Sequence, residues 1–313
     1  MVRMLLAAVA SVTLAFAAIA LVAGRARAHG TVGDYTFLEP IVAEDANPKN
    51  EFDILRPSWV RTSEGHEFAL GFSLEKKLSE NLSILIGSEW VESSKKGPLV
   101  SADVSSPPEI SKSGFENMDV LLKYAFYTNP QHELRLSGGL AMSMPVGDPS
   151  IGAETHFRMG PELLWAKGMG DLPNNDAVLK YLRPIGFQGD AGYSANTSGR
   201  AMHDLFADEV IEYSLLYLSN SVRDFGLPWP IRNMYLYTEF NYDQLIAGPS
   251  GQTFPAIRIT PGLAFMNRSI ELSVATQFAL NNATVPDNHA AVMGLVDLFI
   301  DDLIPATNWT PFR

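Results

Sequence analysis

The chain has 313 residues, 46% of them hydrophobic, and 35 acidic against 23 basic side chains give a net charge of −12. That balance excludes the basic footprint demanded by nucleic-acid phosphates, so no nucleic-acid partner is expected. With 0 cysteines, neither disulfides nor thiolate chemistry is available, and a large hydrogen-bonded scaffold must hold the fold.

The N-terminus carries Arg3, an apolar run from Leu5 to Val22, and then Arg25-Ala26-Arg27-Ala28. A positive start, an apolar run and an A-x-A site read as a signal peptide over 1–28, with an N-terminal anchor as the alternative. Loss of Arg3, Arg25 and Arg27 with it takes the charge from −12 to −15. After Ala28 no apolar run is long enough to cross a bilayer as a helix, so any later crossing must be made by strands. The stretch His29–Asn50 is polar, and Glu44 to Asn50 reads as loop. It is expected to hang in the periplasm or to enter a lumen as a plug, ahead of a barrel over 51–313.

From Phe52 onward, apolar and small or polar side chains alternate with period two, the repeated signal of barrel strands. The clearest segment is Glu133–Met144, where the even positions are apolar apart from Gly138; Ile270–Asn281 has the same rhythm. The others are Phe52–Arg61, Phe68–Leu78, Leu82–Val91, Met118–Phe126, His156–Ala166, Leu182–Tyr193, Glu209–Ser219, Met234–Tyr242, Pro255–Met266 and Ala290–Asp302. Short links at Ser79-Glu80, Tyr127–Gln131 and Asn267–Ser269 belong on the periplasmic side, and Glu92–Gly114 is a long polar loop on the other. The Phe68 segment then runs downward, so an upward strand must precede it, which makes Phe52–Arg61 a strand turning through Thr62–Gly65. The expected fold is therefore all-β: an antiparallel transmembrane β-barrel of about twelve strands, within a range of roughly ten to fourteen. Links Lys167–Tyr181 and Asn220–Asn233 are long for the periplasmic side. Trp90, Tyr124, Phe126, Trp165, Tyr193, Tyr213, Tyr217 and Tyr242 fall near segment ends, as an interfacial girdle requires. A soluble β-sandwich is the competing fold, but its strands are shorter.

Ser221-Val222-Arg223-Asp224-Phe225-Gly226-Leu227-Pro228 and the tail Leu298-Phe299-Ile300-Asp301-Asp302-Leu303-Ile304-Pro305 resemble outer-membrane proteins related to the phenol-degradation MetA pathway family. The resemblance implies a barrel that passes small hydrophobic or aromatic compounds; it carries over no functional residue. Trp309-Thr310-Pro311-Phe312-Arg313 departs from the aromatic ending common in such barrels, with Phe312 in the penultimate position as the signal for the barrel-assembly machinery.

If apolar positions face lipid, Lys123, Arg135, Arg158, Arg258, Glu162, Asp190, Glu212, Glu239 and Glu271 face the lumen. One reading pairs these charges structurally across strands. The sharper reading makes Arg135, Arg158, Arg258, Glu162, Glu212, Glu239 and Glu271 a selectivity set, the arginines attracting an anionic or phenolic group. His156, Arg158 and Glu162 share a spacing that could serve acid–base chemistry. No motif commits to a nucleophile: His66 and His289 lie near expected loops, and Ser137 and Ser143 on one strand. Asp301-Asp302 lacks the ligand spacing of a calcium site, and Gly138-Gly139 and Gly168-Met169-Gly170 do not form a phosphate loop. No cofactor, metal or catalytic residue is expected. The expected protein is a channel for passive uptake of small molecules in a Gram-negative outer membrane, with lipid, the assembly machinery and an unidentified small solute as partners. A non-conducting structural barrel and a lipid-modifying barrel enzyme are the rivals.

Overall fold

The computed structural model describes residues 30–61, 65–96, 109–199, 201–248, 255–281, 290–304 and 310–312; the expected signal peptide, the turn at 62–64, His289 and Trp309 lie outside them. Strands β1 (Thr31–Val32) and β2 (Tyr35–Thr36) pair as a small hairpin. They are followed by β3 (Glu51–Arg61), β4 (Gly65–Lys77), β5 (Leu82–Lys96), β6 (Glu109–Phe115), β7 (Met118–Asn129), β8 (Leu134–Met144), β9 (Arg158–Gly168) and β10 (Ile185–Asn196). The remaining strands are β11 (His203–Ser214), β12 (Met234–Ala247), β13 (Ala256–Met266), β14 (Ile270–Ala279) and β15 (Ala290–Phe299).

Every strand from β3 onward except β6 pairs antiparallel with its sequence neighbours, and β15 returns to pair with β3, so twelve strands close a ring. Closure leaves the twelve ring strands no open edge, the condition for crossing a bilayer with strands. The even count places both ends of the barrel sequence, Glu51 and Phe299, at the end that carries the links 78–81, 130–133 and 267–269, here termed the turn end. Links 145–157 and 197–202 lie at the opposite, loop end.

The pleat sorts side chains as period two demands. Phe72, Leu74, Ile86, Leu122, Phe126, Leu163, Leu236, Val274 and Phe278 point outward and are exposed, an apolar belt that has meaning in lipid. Pro57, Pro161 and Pro261 also stand on that face. Opposite each, two rungs are missing from the β3–β15, β9–β10 and β13–β14 ladders, because proline has no N–H to give.

Three expected boundaries are corrected. The segment Glu92–Gly114 is not all loop: β5 continues to Lys96 and pairs with β6 from Trp90↔Phe115 to Lys96↔Glu109. These rungs continue past β7, whose pairing with β5 stops at Gly87↔Asp119, and their many Ser and Lys side chains break the apolar alternation that marks the other strands. Strand β11 spans His203–Ser214 and not Glu209–Ser219. It stops where Ser214 Oγ accepts a hydrogen bond from Tyr217 N at 3.0 Å, an N-cap that turns 215–222 into helical turns. Strand β15 ends at Phe299, and Ile300–Leu303 forms one helical turn where strand was expected.

The core lies inside the ring. Inward Val210, Tyr235, Tyr237, Ala264, Met266, Leu295 and Phe299 pack on Leu38, Ile41 and Ala43 of the N-terminal segment. Leu121, Leu164, Ala166 and Tyr217 pack on Val32, Tyr35, Phe37 and Ala46. Gly186 makes this possible: a Cβ there would lie 2.8 Å from the Tyr35 ring. Tyr217, expected in the interfacial girdle, is 3% exposed within this cluster, since the helical turns carry it under the barrel.

Candidate functional site: the occupied lumen

Residues 30–50 enter from the turn end, climb to Ile41–Glu44 and descend to β3. An extended segment inside a barrel brings a row of backbone N–H groups with no ladder partners, and buried donors must be satisfied. Carboxylates on five strands satisfy them. Glu212 accepts from Leu38 N at 3.3 Å, and Glu271 from Glu39 N at 3.0 Å. Glu239 accepts from Ile41, Val42 and Ala43 N at 2.8, 2.9 and 3.0 Å. Asp190 takes Glu44 N at 2.8 Å, and Glu75 takes Lys49 N at 3.1 Å. The segment's carbonyls are met as well: Gln188 Nε2 donates to Leu38 O, Ser137 Oγ to Ala46 O, and Arg56 to Ile41 O.

Two buried lysines pair with carboxylates of the acidic interior. Lys123 on β7, fully buried, reaches Glu44 at 2.8 Å, Glu75 at 3.1 Å and Asp45 at 3.3 Å. Lys49 pairs with Glu39 and lies 2.9 Å from both Asp45 and Glu51. The triads Glu39–Glu44–Asp45 and Asp45–Glu51–Glu75 are tight enough to hold an ion, with ligand atoms within 4.8 Å. In both, an ammonium already supplies the positive charge, so lysine does here what a cation would.

Above the segment, two cavities open toward the loop end. The larger, about 520 Å³, is floored by Ile41 and Glu44 and lined by Arg56, Leu85, Glu89, Asp119, Arg158 and Met293, among others. The second, about 360 Å³, lies over Val42 and is lined by Asp119, Arg158, Phe206, Asp208, Asp243 and Arg258. Arg158 pairs with Asp204 across the lumen wall. Asn241 Nδ2 donates to Asp208 at 3.0 Å, and its amide oxygen accepts from Thr260 at 3.1 Å.

The seven candidate selectivity residues thus divide. Glu212, Glu239 and Glu271 hold the inserted segment and are fully buried. Arg158 and Arg258 stand above it in one cavity. Glu162 points inward on β9 between these layers. Arg135 lies apart toward the turn end, giving Asn47 Oδ1 a 2.8 Å hydrogen bond. His156 precedes β9, with its ring 3.2 Å from Thr155 Oγ1, so it does not join Arg158 and Glu162 on the strand face. Ser137 is sealed beneath Ala46, while Ser143 reaches both cavities. Asp302 pairs with Arg268 at 3.0 Å, and Asp301 accepts from Asn50 at 3.4 Å, tying the chain end to the turn end. Sequence reasoning missed Glu75, Lys49 and Gln188. The parity of β4 marks Glu75 as inward, but nothing local shows that a second segment will meet it.

No protein-family model and no curated protein matches the sequence. Among solved structures, an outer membrane channel from Pseudomonas putida matches with a TM-score of 0.51 and 9% identity, covering 84% of this chain and 99% of its own. The NanC porin matches with a TM-score of 0.47 and 10% identity, over 78% of this chain and 98% of its own. LpxR from Salmonella typhimurium matches with a TM-score of 0.39 and 8% identity, over 80% and 99%. At such identities the likeness is one of fold: the chain is folded as an outer-membrane β-barrel, an antiparallel ring of twelve strands with an apolar outer belt.

Proposed function

We propose that this barrel is a passive outer-membrane channel for small molecules, that residues 30–50 gate it, and that its solutes combine an apolar, often aromatic, body with a polar group. The observation that carries the reading is the pair of cavities that open at the loop end and stop on Ile41–Glu44. Their lining sets Leu85, Phe206 and Met293 beside Arg158, Arg258 and Asp208, the mixture expected of a site that orients an amphipathic small molecule. In this reading Arg158, Arg258 and Glu162 contact the solute, and Arg135, Glu212, Glu239 and Glu271 act on the gate. The barrel-assembly machinery inserts the chain.

Solute influx into liposomes, comparing sugars, phenolic compounds and small anions of similar size, tests the proposal on the full chain and on a chain lacking 30–49. Fastest influx of phenolics, with all three rising on deletion, supports it. A second reading, a non-conducting structural barrel, draws on the buried lysine–carboxylate pairs that seat the segment. Exclusion of every solute by both chains, each with an intact barrel, would establish that reading instead.

A further inference from the structure

The two long turn-end links, 169–184 and 215–233, touch the inserted segment's packing through Tyr217 and Val222 and through Pro184 O, and beyond those contacts they are built alike. Each presents large apolar side chains to the outside. Val178 is 69% exposed and Trp229 63%, and Leu179, Leu182, Phe225 and Ile231 are exposed with them. The links touch through Tyr181 and Phe225, whose rings lie 6.2 Å apart. Both are also anchored to the outer, lipid-facing side of the barrel. Trp229 packs edge-on against outward Phe265 at 6.1 Å, and outward Tyr213 donates to Tyr181 O at 3.1 Å. The apolar surface is thus continuous with the membrane belt.

Cations are set among these side chains. Arg223 lies 5.0 Å over the Phe225 ring and Lys180 5.2 Å over Tyr181, while Arg232 reaches Asn220 at 3.1 Å. Within the two links the carboxylates are Asp171, Asp176 and Asp224, and all three are occupied locally, Asp171 by Lys167 at 2.9 Å and His132 at 3.0 Å. Asp176 accepts from Val178 and Leu179 N at 2.8 and 2.9 Å, and Asp224 from Gly226 N at 2.8 Å. In a chain with a net charge of −12, this is a basic, aromatic surface at the membrane border, the composition that favours an interfacial position on anionic lipid.

We propose that links 169–184 and 215–233 form a membrane-resting platform that lays Val178, Leu182, Phe225 and Trp229 into the turn-side leaflet and sets Lys180, Arg223 and Arg232 against the phosphates of anionic phospholipids. The stretch Ser221–Pro228, which touches the lumen cluster through Val222, is then a lipid-headgroup element from Arg223 onward. The claim stands independently of what the lumen passes.

Trp229 supplies the probe. The full chain is reconstituted in vesicles containing brominated phosphatidylglycerol or, at equal mole fraction, brominated phosphatidylcholine, and Trp229 emission is isolated by difference from Trp229→Phe. Quenching by the anionic lipid at least about twofold above the zwitterionic one is expected. That preference should be abolished in a Lys180→Glu, Arg223→Glu, Arg232→Glu variant whose barrel still shows heat-dependent gel migration. Trp229 emission quenched by aqueous iodide and untouched by either lipid, as for a platform that binds a soluble partner, overturns the proposal; so does equal quenching by both lipids.

Discussion

Glu239 is the residue on which the inserted segment most depends, because one carboxylate serves three consecutive N–H groups. Its replacement by Ala orphans three buried donors, at about 1–3 kcal/mol for each one that water does not reach. The expected outcome for Glu239→Ala is an intact barrel whose residues 37–50 become accessible to protease and whose conductance rises; unchanged protection would remove Glu239 from the gate. A second residue acts at the turn end. Glu133 accepts from Gly170 N at 2.7 Å and from Tyr217 OH at 3.0 Å, yet burial outweighs these bonds and raises its pKa above the ordinary carboxylate value. A carboxyl whose pKa is higher folded than unfolded stabilises the fold fully at low pH, and that contribution is lost as pH rises through its folded value. Thermal midpoints measured from about pH 4 to about pH 7 should fall less for Glu133→Gln than for the parent chain; parallel curves would show that Glu133 does not titrate in this way.

Among the elements, those whose faces are dictated by lipid were the most legible. Strands such as Leu134–Met144 and Ile270–Ala279 alternate so regularly that periodicity places them within a residue or two. The ring's parity followed from the length of the links. What sequence could not carry was anything decided by a distant partner. β6 is set by its pairing with the end of β5, and β11 is ended by the Ser214 cap. The role of residues 30–50 depends on carboxylates between 26 and 232 positions away. The candidate site was legible to the extent that parity pointed Arg158, Arg258 and the glutamates inward. Their division into solute-facing and segment-holding groups was not, because both groups look the same on a strand.

For the whole molecule, the balance of charge above the inserted segment sets a preference. Asp119, Asp204, Asp208 and Asp243 outnumber Arg158 and Arg258 in the upper cavity, and low-dielectric walls concentrate the resulting field. The sequence leads to the expectation that the arginines attract an anionic or phenolic group; we propose that four carboxylates facing two guanidiniums make cations and neutral solutes the favoured ones. Measured under a salt gradient, the reversal potential of the conducting protein should report cation preference. Asp208→Asn with Asp243→Asn should move it toward anions, while anion preference in the parent chain would refute this electrostatic account.

The pairing of β3 with β15 has a consequence for the order in which the protein comes into being. Residues 51–61 meet their last neighbours at 290–299, more than two hundred residues later in synthesis. Until that seam forms, a partly paired sheet has two open edges, and the glutamates at 212, 239 and 271 are not yet gathered around the segment they will grip. A ribosome that has reached β14 has therefore made nearly everything except a finished object. The segment 30–50, translated before every strand of the ring, waits longest for its place, and the last strand decides when the molecule has an inside.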